Sequence, residues 1–212
     1  MDADNSLTIT RRSLHGVAEL LLAGPQHAAH GTIRLRPQPR GFGTTCAPDI
    51  RVVGASVIAD DRSVAIDGRT ARDIGDELGI RPVGLSAVYH DGSGIGPDDV
   101  LHGDQASAER IAHAYALGDQ ALRAFAPDQE PTLWPEHFDL GVTLEDRRVN
   151  LGVSPGDGAI AVPYMYVGPW QPPAVDAFWT QPFGAARPLP DSADEIAAFF
   201  SEGMDRLRHA PR

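Results

Sequence analysis

Lysine is absent from this chain of 212 residues, in which all 18 basic side chains are arginines. The absence excludes Schiff-base catalysis and the lysine of a phosphate-binding P-loop. Cysteine occurs once, at Cys46, so no intrachain disulfide can form, which agrees with a reducing cytoplasm. Because no paired histidine motif lies near Cys46, we expect an inert small side chain there.

Long apolar runs and a surplus of positive charge are missing as well. No apolar run approaches membrane-spanning length, and neither end has a basic stretch followed by an apolar one, so we expect a soluble, cytoplasmic protein without a membrane partner. The net charge of −11 argues against nucleic-acid binding, which needs surfaces that neutralise phosphates. The oligomeric state stays open.

Helical periodicity predicts four helices. The two strongest patterns cover residues 107–125 and 192–207, and the second opens on the capping box Ser192-x-x-Glu195. A short helix should begin after Thr70 and end at Gly79. An earlier helix should begin at a Ser13 cap and end near residues 24–25.

Strand patterns occur in both halves of the chain. Residues 32–36 and 83–89 each read as a strand, and 50–59 with 63–66 reads as a hairpin that turns at Asp60-Asp61. The loop at 91–99 lacks the ligands of a calcium-binding EF-hand and reads as a plain turn. We therefore predict an α+β fold, with antiparallel sheet elements in both halves and helices packed on one face. We expect a single domain over residues 1–212, with possible sub-halves 1–126 and 132–212.

Residues 138–145, 149–153 and 159–167 predict a three-stranded antiparallel meander. A first turn at Asp146-Arg147 pairs Thr143 with Asn150 and Gly141 with Gly152. This register places seven apolar side chains on one face, namely Phe138, Leu140, Val142, Leu144, Val149, Leu151 and Val153. The opposite face is polar and carries His137, Asp139, Thr143, Asn150 and Ser154, with Tyr164 and Tyr166 added if the register continues.

The polar face of this meander is the predicted site. Glycines inside strands mark a close approach to the backbone, by a ligand or a packed helix. The aromatic, proline-rich segment 168–183, which holds Trp170 and Trp179, is a candidate lid over this face. Arg187 is a candidate partner for an anionic ligand or for a site carboxylate, and an ordinary ion pair is its simpler role.

The chemistry at residues 133–139, L-W-P-E-H-F-D, allows three interpretations. His137 and Asp139, two apart on a strand, point the same way and resemble the start of a metal site. A credible third ligand is missing, although His102-Gly103-Asp104 repeats the pattern, so we predict no stoichiometric transition metal and no cofactor. His137 is alternatively a general base oriented by Asp139 or Glu136. In the third interpretation His137 and Asp139 satisfy backbone donors where the strand begins, and Trp134, Trp170 and Trp179 are core.

Four strings carry a resemblance to a known family: LWPEHFDLGV (133–142), GVSPGDG (152–158), PYMYVGPW (163–170) and FWTQPFGAARPL (178–189). They resemble blocks that recur in this order in a bacterial protein family to which no reaction or cofactor is attached, and GTIRLR (31–36) and GFGT (41–44) resemble its N-terminal half. The resemblance implies a shared fold and transfers no activity.

The leading hypothesis is a small-molecule site on the polar face of the 137–166 meander. Its catalytic candidates are His137, Asp139 and Glu136, and its ligand-binding candidates are Trp134, Thr143, Asn150, Tyr164, Tyr166, Trp170 and Arg187. The alternative is a noncatalytic protein-interaction module that uses the segment 168–183. A bound ligand or metal beside His137 and Asp139 favours the first, and a broad exposed apolar patch with Trp170 and Trp179 favours the second.

Overall fold

A single antiparallel sheet runs through both halves of the described chain, residues 3–209 of the computed structural model. Its strand order is β10-β9-β8-β7-β6-β1-β2-β3-β4-β5. The strands are β1 (Leu35–Gln38), β2 (Gly41–Thr44), β3 (Ile50–Val53), β4 (Ser56–Ala59), β5 (Arg62–Ala65), β6 (Thr132–Trp134), β7 (Asp139–Leu144), β8 (Val149–Ser154), β9 (Tyr164–Pro169) and β10 (Ala185–Pro188). The two halves join where Leu35 of β1 pairs with Leu133 of β6.

The helices of the described chain are α1 (Ala3–Val17), α2 (Gly24–His30), α3 (Ala71–Leu78), α4 (Gln105–Phe125) and α5 (Ala193–His209). A buried π-helical turn, Ala18–Ala23, connects α1 to α2. Helix α2 ends because Gly31 takes a left-handed conformation with φ 73°. Helices and a large antiparallel sheet together confirm the predicted α+β class, and no described helix is long and apolar enough to cross a membrane.

Helices α4 and α5 pack on the apolar face of the sheet. Helix α4 contacts β7 and β8, and α5 contacts β9. The approach is close at Gly118 of α4, where a Cβ atom would lie 2.2 Å from a methyl group of Val153. Apolar side chains of both halves form one buried cluster at this interface.

Several predicted elements are confirmed. Thr70 caps α3 through a capping box, and Gly79 ends it in a left-handed conformation. The β4–β5 hairpin turns at Asp60-Asp61, as expected. Helix α5 begins after Ser192, whose hydroxyl accepts a hydrogen bond from the Glu195 N–H.

Other predicted elements are wrong. Ser13 is a buried residue within α1 rather than a cap, and its hydroxyl accepts a hydrogen bond from the His102 N–H. Residues 83–89 form no strand but turns, with the Leu85 carbonyl bonded to the N–H groups of Val88 and Tyr89. The predicted strand at 50–59 is two strands, because a tight turn with Gly54 at φ 57° divides it. In each case turn geometry or tertiary packing favours a structure other than the one that the hydrophobic periodicity of the sequence predicts.

Candidate functional site

The predicted register of the meander is confirmed. Thr143 lies opposite Asn150 and Gly141 opposite Gly152 across β7 and β8. Strand β9 begins at Tyr164 rather than at residue 159, and it continues the register by pairing Tyr164 with Ser154 and Tyr166 with Gly152. One face of these strands is buried against the helices, and the other carries polar side chains.

The close approach that the strand glycines predicted is made by Tyr166. Its side chain lies over Gly152 and Gly141, where a Cβ atom would come within 2.7 and 2.8 Å of its hydroxyl oxygen. The hydroxyl thereby reaches β7 and donates a hydrogen bond to Oδ2 of Asp139. The two glycines thus make room for the Tyr166 side chain.

Asp139 is a buried carboxyl group in the wall of this face. The residue is 9% exposed, and its Oδ1 atom has no hydrogen-bond partner among the described residues. Burial raises the pKa of Asp139 above that of an ordinary aspartate, although the Tyr166 hydrogen bond and the charge of His137 act in the opposite direction. We refer to these two side chains as the Asp139–Tyr166 pair.

His137 does not share this environment, so the strand geometry predicted for His137 and Asp139 is wrong. Residues 135–138 form a turn, and Phe138 has φ 51°, which breaks the alternation of a strand. The His137 side chain is exposed, and its Nε2 lies 3.9 Å from a Glu136 carboxylate oxygen. The described residues contain no hydrogen bond between His137 and Asp139, and Glu136 does not bond Asp139 either.

A cleft of about 710 Å³ opens beside the Asp139–Tyr166 pair. Its floor is the polar face of β8 and β9, and we call it the β8–β9 cleft. The predicted residues that line it are Glu136, His137, Asp139, Asn150, Ser154, Tyr164, Tyr166 and Trp170. Helix α1, the loop at 91–93 and the segment 168–183 supply its walls.

Three predicted ligand-binding residues, and Trp179 of the candidate lid, need correction or a narrower role. Trp134 does not line the cleft, because its ring packs under the Arg34 guanidinium at 5.5 Å. Thr143 is also outside and donates a hydrogen bond to Asn150 Oδ1. Arg187 pairs with Glu202 at 3.3 Å, the ordinary ion pair that was its simpler role. Trp179 is buried edge-on against Phe178, so it cannot form part of a lid.

The sequence interpretation missed the contribution of α1. Thr8, Arg11, Arg12 and His15 line the cleft, and their spacing of three, four and seven residues places them on one helix face. The buried Arg11 guanidinium donates hydrogen bonds to the carbonyl oxygens of Ala161 at 2.9 Å and Asp157 at 3.0 Å. Arg11 therefore holds the 155–161 loop that forms one end of the cleft, and burial lowers its pKa.

His15 and Glu19 form a second buried polar group beside the cleft. Burial lowers the pKa of His15, so the neutral ring is favoured. Its Nε2 lies 2.6 Å from the Pro135 carbonyl oxygen, which can only accept, and this fixes the proton on Nε2. Glu19, in the π-helical turn, accepts hydrogen bonds from the Tyr89 hydroxyl and the Ser93 N–H. Glu19 thus anchors the 89–93 segment, whose end lines the cleft.

Tyr164 and Asp157 complete the polar end. The Tyr164 hydroxyl donates to Asp157 Oδ2 at 2.6 Å, and burial followed by this bond raises the Tyr164 pKa. Ser154 bonds within its own turn, accepting from the Gly156 N–H at 3.1 Å. Ser154 therefore stabilises the turn in which it lies.

The opposite end of the cleft is aromatic and apolar. Trp170 and Phe183 line it while remaining 47% and 39% exposed, and Pro169 and Pro172 lie beside them. The Arg148 guanidinium stacks over the Trp170 ring at 5.3 Å. The cleft therefore has a polar end at the Asp139–Tyr166 pair and an apolar end at Trp170.

Metal ligands do not converge in the part of the chain that the structure describes, where no group of three His, Cys, Asp or Glu side chains has the required arrangement. Asp104 is instead the N-cap of α4, where it accepts a hydrogen bond from the Ser107 N–H. That the purified protein carries no stoichiometric transition metal stays a prediction for elemental analysis.

Gly152→Ala is expected to destabilise the protein by about 1 to 3 kcal/mol, because an added Cβ atom overpacks the site. It would lie 2.4 Å from the Leu140 carbonyl oxygen and displace the Tyr166 hydroxyl. Gly158→Ala is the matched control, since that glycine lines the same cleft and its Cβ atom would meet nothing within 4 Å. Urea unfolding measures the free energy of unfolding of both variants. Equal values for Gly152→Ala and Gly158→Ala would contradict the packing described for Tyr166.

The free energy of unfolding should depend on pH through Asp139. Because burial raises its pKa above 3.8, the folded state keeps a proton that the unfolded state has lost. Stability therefore falls as pH rises from 3.8 to the raised pKa, with a limiting slope of about 1.4 kcal/mol per pH unit. Asp139→Asn should remove this contribution to the pH dependence of the free energy of unfolding. The charged and titratable groups near Asp139 are Tyr166, Tyr164, Tyr115, His137 and Glu136.

Parallel pH–stability curves for the wild-type protein and Asp139→Asn would contradict a raised pKa at this carboxyl group. Chemical unfolding between about pH 4 and pH 8 covers the window in which an aspartate with a raised pKa titrates. Asp61→Asn provides the control, because Asp61 lies exposed in the β4–β5 turn.

Comparisons with known proteins identify no relative of this chain. A scan against protein-family models, a search of curated proteins and a search of solved structures each found no match to this chain.

Proposed function

We propose that the protein binds a small organic molecule in the β8–β9 cleft and that the Asp139–Tyr166 pair is its acid–base group. The observation that carries the proposal is the buried Asp139 carboxyl with a raised pKa, set in the wall of a cleft. Titratable groups with perturbed pKa values concentrate at functional sites. Burying a carboxyl group lowers the stability of the folded protein, so such a group is more easily explained by a function than by a structural role.

The shape of the cleft supports a small-molecule ligand. A volume of about 710 Å³ lies in the range typical of ligand pockets, and such pockets combine apolar walls with a few convergent polar groups. Here the apolar wall is Trp170 with Phe183, and the convergent polar group is the Asp139–Tyr166 pair.

The pair also has the chemistry of a general acid or base. A carboxyl group with a raised pKa keeps its proton nearer to neutral pH, where it can donate to a substrate or accept from one. Tyr166 is partly exposed, and its hydroxyl oxygen retains acceptor capacity while it donates to Asp139. In this proposal Asp139 takes the role first assigned to His137, and His137 remains an exposed residue at the cleft entrance.

A fragment screen by NMR tests the proposal. Fragments should perturb the Trp170 indole resonance, and Asp139→Asn should weaken those fragments whose polar group reaches the pair by about tenfold or more, since a buried bond to a charged group contributes roughly 1.5 to 3 kcal/mol. Asp61→Asn should leave affinity unchanged. If no fragment binds the cleft, or if a folded Asp139→Asn binds every fragment with wild-type affinity, the proposal is wrong.

A noncatalytic interaction protein is the second candidate. Three large apolar side chains of the 168–183 segment, Trp170, Val175 and Phe183, remain exposed, which favours a contact surface. The patch is smaller than predicted, because Trp179 is buried. A photo-crosslinking residue at position 175 would capture a specific partner if this function holds, and the same residue at position 61 is its control.

A further inference from the structure

We infer that the ligand of the β8–β9 cleft is an organic cation, a protonated amine carried on an aromatic or aliphatic body. The inference rests on the proposed function and specifies the class of molecule that the cleft takes. Four features support it: the excess of acidic groups in the lining, the hydrogen bonds of Arg11, the buried Asp139 carboxyl group and the apolar far end.

Acidic side chains outnumber basic ones in the lining. The cleft holds four carboxyl groups, Asp91, Glu136, Asp139 and Asp157, against the guanidinium groups of Arg11 and Arg12. His15 adds no positive charge, because burial lowers its pKa. An excess of acidic groups in a cleft favours ligands of positive charge.

Arg11 does not offer an anion site, because its guanidinium is committed inside the protein. It donates hydrogen bonds to the carbonyl oxygens of Ala161 and Asp157. Arg12 donates to the Ser93 carbonyl oxygen at 3.4 Å and is exposed, so it contributes one accessible positive charge to the lining. The four carboxyl groups of the lining therefore face one committed and one exposed guanidinium group.

Asp139 is the residue that we expect to pair with the ammonium group of the ligand. Its side chain is more than nine-tenths buried and its Oδ1 atom is unpartnered among the described residues. A buried carboxylate needs an opposite charge or further hydrogen-bond donors. An ammonium group brings a positive charge together with up to three N–H donors, so its binding favours the ionised form of this carboxyl group over the protonated form that burial favours.

The apolar end sets the body of the ligand. Tyr164 and Gly168 both line the cleft and are four residues apart on β9, which corresponds to about 13 Å along the strand. Trp170 and Phe183 lie beyond that point as partly exposed rings. These rings offer apolar surface to an indole-sized or phenyl-sized body on the ligand.

Three indoles that differ only in head-group charge test the inference: tryptamine, tryptophol and indole-3-acetate. Calorimetry or NMR titration at pH 7.5 should show that tryptamine binds about tenfold more tightly than tryptophol, equivalent to ~1.4 kcal/mol, and that indole-3-acetate binds most weakly. Asp139→Asn should bring tryptamine to within about twofold of tryptophol. Trp170→Ala, at an exposed position, should weaken tryptamine and tryptophol alike.

The failures of the two proposals are distinguishable. If indole-3-acetate binds as tightly as tryptamine, or if a folded Asp139→Asn keeps the preference for tryptamine, the inferred cation is wrong. If no indole binds while other fragments bind the cleft in an Asp139-dependent way, the inferred class is again wrong and the proposed function stands. Should Asp139→Asn fail to fold, Glu136→Gln replaces it as the charge-removing variant, with a smaller loss of tryptamine affinity expected.

Discussion

Replacing Phe138 with alanine should lower the free energy of unfolding by about 3 to 5 kcal/mol. The ring is 2% exposed and lies at the centre of an aromatic cluster. It packs edge-on against Phe42 and Tyr115, at 5.5 and 5.7 Å between centroids, and stacks on His15 at 5.1 Å. Alanine would remove these contacts and leave a cavity between α1, α4 and the sheet.

Urea unfolding followed by circular dichroism measures this loss. Phe183→Ala is the matched control, because the same side chain is deleted from a partly exposed position in the cleft wall, where a change of about 1 kcal/mol or less is expected. Phe138→Leu should fall between the two, since leucine refills part of the volume. A Phe138→Ala variant as stable as Phe183→Ala would mean that the cluster does not form as described.

Arg11→Met should lower the free energy of unfolding by about 3 kcal/mol, since hydrogen bonds to a buried charged group contribute roughly 1.5 to 3 kcal/mol each. Methionine keeps much of the apolar stem but leaves the carbonyl oxygens of Ala161 and Asp157 without their donor. The 155–161 loop should then loosen, and with it the end of the cleft next to Tyr164.

Arg12→Met serves as the control, because Arg12 is exposed and makes only a 3.4 Å hydrogen bond to the Ser93 carbonyl. A change within about 0.5 kcal/mol is expected for it. Hydrogen exchange should accelerate at residues 155–161 in Arg11→Met and remain at the wild-type rate in Arg12→Met. Equal exchange in all three proteins would contradict a role for Arg11 in holding this loop.

The register of the meander was predictable because its causes are local. A two-residue turn at Asp146-Arg147 fixes which residues of β7 and β8 are opposite, and alternation then decides which face is apolar. The same reasoning placed Asp139, Asn150, Tyr164 and Tyr166 on one polar face, and all four line the cleft. Sequence signals of this kind survive folding because turn geometry and side-chain alternation act over a few residues.

The role of His137 could not be predicted from the same pattern. The predicted alternation includes residues 137 and 138 in the strand. In the structure these residues belong to a turn, and β7 begins only after Phe138, whose backbone is left-handed. That conformation is held from outside the segment, by a Tyr115 hydroxyl that donates to the Phe138 carbonyl and by the surrounding aromatic rings. A local sequence pattern cannot predict a hydrogen bond from Tyr115, which lies on a helix 23 residues earlier in the chain.

The α+β class, the meander and its polar face follow from hydrophobic periodicity and turn residues, which act locally along the chain. Long-range packing, in contrast, makes α1 a wall of the cleft and lets Arg11 hold a loop about 150 residues away. It also places the Tyr166 side chain across two glycines, within reach of Asp139. Those arrangements depend on which distant surfaces pack together, and that choice is made by the burial of the whole apolar core.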